Sequence, residues 1–410
     1  MVLTTQNLPC LHAVHTFRDL IVDDAPARGR PRLRMTLHLA TVLVTGLRPT
    51  FFTCRHTYES VLQDEIALRS PASAAACTSP LPGLVRVAEW VPSDLDPVYA
   101  LQVLPAAVEV RAESVKTLAI AVVDSLMESG DLEALSRAPR GSLTVHELVP
   151  GLLKGTPKPA LSRRCGAVAA AVTDQLRARY PCARPLRAAD PEPEERWLLQ
   201  LLLLAPEELV GSLCRVAPVP VVGGSWPCHH LVAGLASVDL EGYVPSSAYR
   251  KLLEALSCCR TQPHPASTVY DLGASPGGWT TALRRLGCRV VAVDRSPLSR
   301  ELMSDELVSF EQGDAFTYMP EEQGAAGEHG GWMVSDVIAY PERVTELLER
   351  WCGGGWAERM VVTMKFQGDT PAWEELQTAI DRARELGFAC RAKHFFSNKN
   401  EVTLMLARDR

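Results

Sequence analysis

Val269-Tyr270-Asp271-Leu272-Gly273-Ala274-Ser275-Pro276-Gly277-Gly278-Trp279 decides the fold. An apolar, strand-forming run from Val269 to Leu272 gives way to a glycine-rich turn at Gly273–Gly278. Helical spacing then holds from Trp279 to Leu286, where Gly287 stops it. Arg289 to Val293 reads as a second strand, ending at Asp294. Trp332 to Val334 is another, ending at Asp336, and Arg359 to Met364 a further one, ending at Lys365. Phe388 to Phe396 and Val402 to Leu406 close the chain as a hairpin. Strands alternating with helices predict an α/β domain, a doubly wound Rossmann-like parallel sheet with an antiparallel C-terminal hairpin.

Upstream the pattern is different. Phe51–Thr53, Leu84–Val91 and Val108–Val110 read as extended. Tyr58–Ala67, Val115–Met127 and Cys165–Tyr180 carry helical spacing, and Trp197–Leu204 is a buried strand or short helix. This is an α+β domain over residues 50–215. Prolines 181, 185, 191 and 193, then 218, 220 and 227 with Gly223 and Gly224, punctuate the chain. They place a linker at 216–240 before the domain at 241–410, and leave 1–49 as an extension without an assigned role. Arg163, Arg164, Arg177, Arg179, Arg184 and Arg187 face only Asp174 between Leu161 and Ala189, a run suited either to gripping phosphates or to a solvated helix face.

Composition narrows the function. With 410 residues, 47% hydrophobic and 22% charged, there is material for two cores, which excludes disorder as the main state. The most apolar run, Leu198–Ala205, is too short to span a bilayer. A net charge of −6 excludes a blanket nucleic-acid coat, so any RNA contact must be local. The 12 cysteines lack zinc or redox spacing, and Cys228-His229-His230 is the one metal-like cluster; no metal is expected from three neighbours on a loop. Scattered thiols suit a reducing, cytoplasmic compartment. Arg18, Arg28, Arg30, Arg32 and Arg34 are interspersed with Asp19, Asp23 and Asp24, too acidic a mixture for a transit peptide.

In open α/β sheets, ligands bind beyond the carboxyl ends of the strands. The Asp271–Trp279 loop lies at such an end, but its spacing is not the phosphate-binding G-x-G-x-x-G. Asp271 can hold an amine, and Asp294, 23 residues later, can accept two ribose hydroxyls. Asp314, after Gly313, can meet an adenine amino group. Together they describe a pocket for an adenosine bearing an amino-acid tail. Asp336, Lys365 and Glu401 are charges at strand ends of one sheet, costly unless paired, and Lys251 lies on a helix just before the first strand.

Asp271-Leu272-Gly273-Ala274-Ser275-Pro276-Gly277-Gly278-Trp279 resembles the first motif of the FtsJ-like ribose 2′-O-methyltransferases, D-L-G-A-x-P-G-G-W. That family's Lys-Asp-Lys-Glu tetrad falls on Lys251 in Lys-Leu-x-Glu, Asp336 in Val-Ser-Asp, Lys365 in Met-Lys-Phe and Glu401 in Asn-Glu-Val-Thr. The resemblance covers roughly residues 240–410. Trp332-Met333-Val334-Ser335-Asp336, with Pro341 in place of Met-Ala-Pro-Asn, is similar to the branch that methylates a cytidine ribose of large-subunit ribosomal RNA. The long N-terminal half resembles that branch's THUMP-containing RNA-binding region. Ser247 stands where the family often has arginine, and Ser275 where alanine or cysteine is commoner.

The resemblance implies S-adenosylmethionine as cofactor, held by Ser246, Asp271, Gly273, Ser275, Pro276, Gly277, Gly278, Trp279, Asp294, Asp314 and Asp336. It implies in-line attack of a ribose 2′-oxygen on the methyl carbon, with Lys365 taking the proton and Lys251 as the neighbouring cation. Asp336 and Glu401 would orient the two lysines. RNA would be the partner, with Arg391, Lys393, Lys399 and the arginines from 163 to 187 as phosphate contacts; a monomer without membrane attachment is expected. The alternatives are methylation of a messenger cap or of transfer RNA, or an RNA-binding protein that keeps the pocket without catalysis.

Overall fold

A computed structural model describes residues 41–42 and 48–409, apart from 89–90, 93, 155, 217–227, 266, 321–330 and 369. Most of the extension at 1–49 and much of the linker at 216–240 therefore lie outside the described residues. Residues 38–410 form one compact unit.

The first half holds β1 (Thr41–Val42), β2 (Thr50–Thr53), α1 (Glu59–Arg69), β3 (Cys77–Leu81), β4 (Leu84–Val87), β5 (Gln102–Leu104) and β6 (Val108–Arg111). It continues with α2 (Val115–Glu128), β7 (Leu143–Leu148), α3 (Pro159–Arg179), β8 (Arg196–Ala205) and β9 (Glu208–Val216). These make two sheets, ordered β3-β4-β2-β5 and β1-β6-β9-β8-β7. Trp197–Leu204, open between helix and strand in sequence, is the core of β8, paired to β9 on one side and to β7 on the other. Its leucines 199, 201 and 203 alternate onto the face covered by Leu118, Val122 and Leu126 of α2 and Val168, Val172 and Leu176 of α3.

The second half runs α4 (Tyr249–Cys259), β10 (Thr268–Leu272), α5 (Gly278–Arg285), β11 (Arg289–Asp294), α6 (Arg300–Met303), β12 (Val308–Gln312) and β13 (Trp332–Ser335). Then come α7 (Pro341–Gly354), β14 (Arg359–Lys365), α8 (Trp373–Glu385), β15 (Phe388–Lys393) and β16 (Glu401–Arg408). Seven strands form one sheet, β12-β11-β10-β13-β14-β16-β15, parallel through β14. Antiparallel β16 lies between β14 and β15. The expected α/β fold with its terminal hairpin is thus present. Met360 to Met364 in β14 are buried without a break, as a central strand covered on both faces requires. Chain order reverses between β10 and β13, which opens a crevice at their carboxyl ends.

One apolar core continues from the four-stranded sheet into the seven-stranded one, joining Phe52, Leu62, Val85 and Tyr99 to Phe388, Ala392, Leu404 and Trp351. Asp96 seals this junction. Its carboxylate takes Arg391 Nε at 2.7 Å and also binds Lys393 Nζ. Lys393 donates further to the carbonyls of Pro97 at 2.7 Å and Ala100 at 3.0 Å. Arg391 and Lys393, expected to contact RNA phosphates, are therefore a structural ion cluster: their side chains are only 10% and 5% exposed. Burial alone would raise the Asp96 pKa, but the two cations pull it well below the usual carboxylate range.

Candidate active site

The glycine loop forms because its backbone demands it. Gly273 has φ +75°, and its N–H reaches Val293 O of the neighbouring strand at 2.8 Å. Gly277 has φ +110°, and a Cβ there would sit 2.1 Å from Leu302 Cδ1. The loop is pinned from the side by Asp294, whose Oδ2 accepts the Ser275 N–H at 3.0 Å while Oδ1 accepts that of Ser296 at 2.8 Å. Ser275 Oγ donates to Pro297 O at 2.9 Å. Trp279 Nε1 donates to Ala248 O at 2.8 Å, which ties α5 to the start of α4. That helix begins at Tyr249 with Ala248 as its cap, and the Ala248 N–H donates to Ser246 Oγ two residues earlier.

Between loop and sheet lies a cleft of about 340 Å³, within the size range of small-molecule and cofactor sites. Its lining includes Ser246, Asp271, Gly273, Ser275, Pro276, Gly278, Trp279, Asp294, Asp336 and Lys365. It also includes Ala248, Val337 and Ile338, which the sequence reading did not single out. Gly277 shapes the loop from behind. Asp314 is not among the lining residues: its carboxylate pairs with Arg295 at 2.5 Å and accepts the Phe316 N–H at 2.9 Å. The assignment of Asp314 to the pocket lacks this geometry because the residue caps the turn after β12 instead.

Asp271 is buried and accepts Thr280 Oγ1 at 2.6 Å. Burial pushes its pKa up to about 7; the Thr280 hydrogen bond opposes the rise, and the Asp336 and Asp294 carboxylates add to it. Three carboxylates thus line one cleft, a donor set that suits a cationic ligand.

Beside the cleft the four charged residues of the sequence motif converge. Lys251 Nζ, from the inner face of α4, donates to Asp336 Oδ1 and Oδ2 at 2.7 and 2.8 Å and to Glu401 Oε1 at 3.0 Å. Lys365 Nζ lies 3.2 Å from Asp336 Oδ1 and 3.9 Å from Glu401 Oε2, and donates to Asp336 O at 3.0 Å. Register explains the meeting: Lys365 and Glu401 are direct partners across β14 and β16, and Asp336 follows β13 on the other side of β14. The two lysines are not equivalent. Lys251 is 8% exposed and committed to carboxylates, whereas Lys365 is 20% exposed and faces the cleft.

Thr363 is a member of the site that the sequence reading missed. Buried two residues before Lys365, it donates Oγ1 to Asp336 Oδ1 at 2.6 Å. Its signal was the period of a strand, which places 363 and 365 on one face. Among the described residues, no group of three or more His, Cys, Asp and Glu is placed to hold a metal ion. His229 contacts Cys258 Sγ at 3.0 Å and stacks on His230.

A cofactor-sized crevice at the switch point of a parallel sheet, opening onto a lysine held among acids, gives this half of the chain the ligand site of an open α/β fold. Residues 244–348 match the model of the FtsJ-like methyltransferases. Among curated proteins, it is 30% identical to the ribosomal RNA large subunit methyltransferase M of Halorhodospira halophila over 186 residues, 45% of this chain and 51% of that one. It is 36% identical to the protein of the same name from Pseudomonas putida strain W619 over 147 residues, 34% of this chain and 39% of that one. The chain therefore spans about half or less of the length of these relatives. TrmN from Thermus thermophilus, a solved structure, aligns with 88% of this chain and 100% of its own at 16% identity and a TM-score of 0.30.

Proposed function

We propose that this protein transfers a methyl group from S-adenosylmethionine to a ribose 2′-hydroxyl of RNA, and that the target is a cytidine of large-subunit ribosomal RNA. The convergence of Lys251, Asp336, Lys365 and Glu401 beside the carboxylate-lined cleft carries the reading. The similarity to the ribosomal RNA large subunit methyltransferases M supports the substrate class.

The cleft suits this donor, whose sulfonium and ammonium are cationic and whose ribose needs acceptors. Asp294 is held rigid by two backbone N–H groups, with further lone pairs to accept ribose hydroxyls, and Asp271 sits where an amine would pair with it. Gly273 and Gly278 let backbone come close. When bound, the donor supplies an electrophilic methyl carbon; the chain must supply orientation and a proton acceptor. Lys365 Nζ is the cleft-facing nitrogen, and as the neutral amine it takes the 2′-hydroxyl proton to become the ammonium that Asp336 and Glu401 pair. Asp336 fixes it from two sides, through its carboxylate and its backbone carbonyl. Lys251 balances the charge of Asp336 and Glu401, so neither acid is a buried unpaired charge. Holding both reactants in place contributes much of the rate.

In this reading residues 50–215 form the RNA-binding, THUMP-like region, 216–240 link it to the methyltransferase domain at 241–410, and the protein acts in the cytoplasm. Exposed Arg163, Arg177, Arg179, Arg184 and Arg187 suit phosphate contact. Arg164 is tied to the carbonyls of Pro206 and Glu113 at 2.6 Å. No described helix is long and apolar enough to cross a membrane. The test is to map 2′-O-methylation of total RNA with wild type and with Lys365→Ala in a strain lacking the protein. One ribosomal cytidine mark that depends on Lys365 is expected; an unchanged map would refute the assignment.

A further inference from the structure

Asp336 is followed by a short run, Val337-Ile338-Ala339-Tyr340, that is neither helix nor strand and ends at Pro341, the first residue of α7. Its side chains alternate. Val337 and Ala339 pack onto the main apolar core. Asp336 points into the lysine cluster, while Ile338 and Tyr340 stand in water, 87% and 62% exposed. Ile338 is the most exposed large hydrophobic residue among those described. Such alternation is how an extended segment presents one face. Here that face carries a carboxylate at the reaction centre, then two apolar groups leading away from it.

Single exposed apolar residues need no explanation. Two on one face of a braced backbone, the first of them lining the cleft, do. Gly273 leaves little room behind Val337: a Cβ there would meet Val337 Cβ at 3.1 Å. The carbonyl of Tyr340 accepts the N–H groups of Arg343 and Val344 at 3.0 and 3.2 Å, so the first turn of α7 fixes this end as well. Ile338 itself lines the cleft that holds Lys365. A flat apolar partner is needed next to a sugar hydroxyl, and a nucleobase attached to that sugar meets the requirement.

Resting on the methyl-transfer reading above, we infer that Ile338 and Tyr340 are the platform on which the base of the target nucleotide stacks while its ribose is presented to Lys365. Because a base can lie on such a platform only when it has left its own stack, the nucleotide is unpaired or flipped out at the moment of methylation. Both residues are positioning residues: they seat the base and take no part in the chemistry.

The test uses the full chain, a naked transcript of large-subunit ribosomal RNA and S-adenosylmethionine labelled in its methyl group. Tyr340→Ala and Ile338→Ser should each raise KM for the RNA by about tenfold, the usual loss of a base-stacking side chain. Tyr340→Ala should leave kcat, donor affinity and melting temperature near wild type, and Tyr340→Phe should restore KM. A Tyr340→Ala protein with wild-type KM, or one that loses kcat at unchanged KM, would overturn the platform alone. A wild type that binds the donor but methylates no RNA would overturn the underlying reading and the platform with it.

Discussion

Replacing each lysine of the cluster by methionine should separate stability from catalysis. Met keeps an unbranched apolar stem one atom shorter and removes the charge with its N–H donors. Lys251→Met leaves Asp336 and Glu401 with Lys365 as their remaining lysine, which is 3.9 Å from the nearer Glu401 oxygen. Removing one member of a buried ion pair costs about 3–5 kcal/mol, because the charge left behind stays desolvated. Thr363 still donates to Asp336 Oδ1, and Asp336 keeps its 3.2 Å contact with Lys365, so the lower end, about 3 kcal/mol, is expected. At about 2 °C per kcal/mol for a large domain, the melting temperature should fall by about 6 °C. Lys365→Met removes a charge that is more exposed and has a single carboxylate within 3.2 Å, while Lys251 continues to neutralise Asp336 and Glu401. Its cost should be about 1 kcal/mol or less, yet methyl transfer should be lost. Thermal unfolding followed by circular dichroism, alongside transfer of labelled methyl to ribosomal RNA, measures both. A Lys251→Met protein that melts with wild type, or a Lys365→Met protein that is the less stable of the two, would refute the division of roles.

Three further outcomes follow from other contacts. The raised Asp271 means that the folded protein holds a proton between pH 3.8 and about 7 that the unfolded chain has released, so this residue makes stability decline with rising pH across that window. A cationic donor favours its charged form, so donor affinity should weaken as pH falls below about 7. Calorimetry on Asp271→Asn should find that slope gone, and a slope that persists would assign the proton elsewhere. Asp96→Ala, by stranding Arg391 and Lys393 in the interior, should cost about 3–5 kcal/mol without changing donor affinity; a melting temperature within a degree or so of wild type would contradict the role assigned to this cluster. Because Asp96 is depressed in the folded state, its contribution is present above the ordinary aspartate range and is lost on acidification through it, the opposite trend to Asp271. Gly277→Ala combines positive φ with a collision against Leu302, so donor binding should fall by about tenfold or more in isothermal titration; unchanged affinity would show that the loop can yield.

Four of the five parallel strands and the glycine loop were legible because each of those strands is a short apolar run with a charge at or beside its end, and those charges sit at the same end of the sheet; β12, with Ser309, Glu311 and Gln312 among its five residues, was not read as a strand. The tetrad was legible for the same reason, together with its local motifs. Five strands of the first half, β1, β3, β5, β7 and β9, were not. Cys77–Leu81 contains Pro80 and a register shift between Thr78 and Leu81, so it reads as loop; an edge strand tolerates both. Leu143–Leu148 interleaves His146 and Glu147 with its leucines and pairs only along one side. Gln102–Leu104 has three residues, too few for a period.

Arg391 and Lys393 illustrate a deeper limit. Their spacing puts both on one face of β15, which is the pattern expected of a phosphate-binding strand, and nothing near them in sequence says otherwise. The residue that changes their meaning, Asp96, is nearly 300 positions away on the four-stranded half of the molecule. A cation pair is a docking surface if its face is open and an internal fastening if another element brings an acid to it, and only the tertiary structure distinguishes the two. The same logic runs in reverse at Ile338 and Tyr340, where residues of core type are left in water by a segment whose alternate positions face the core. In both places the departure from local expectation marks where one part of the molecule, or a molecule outside it, completes the other.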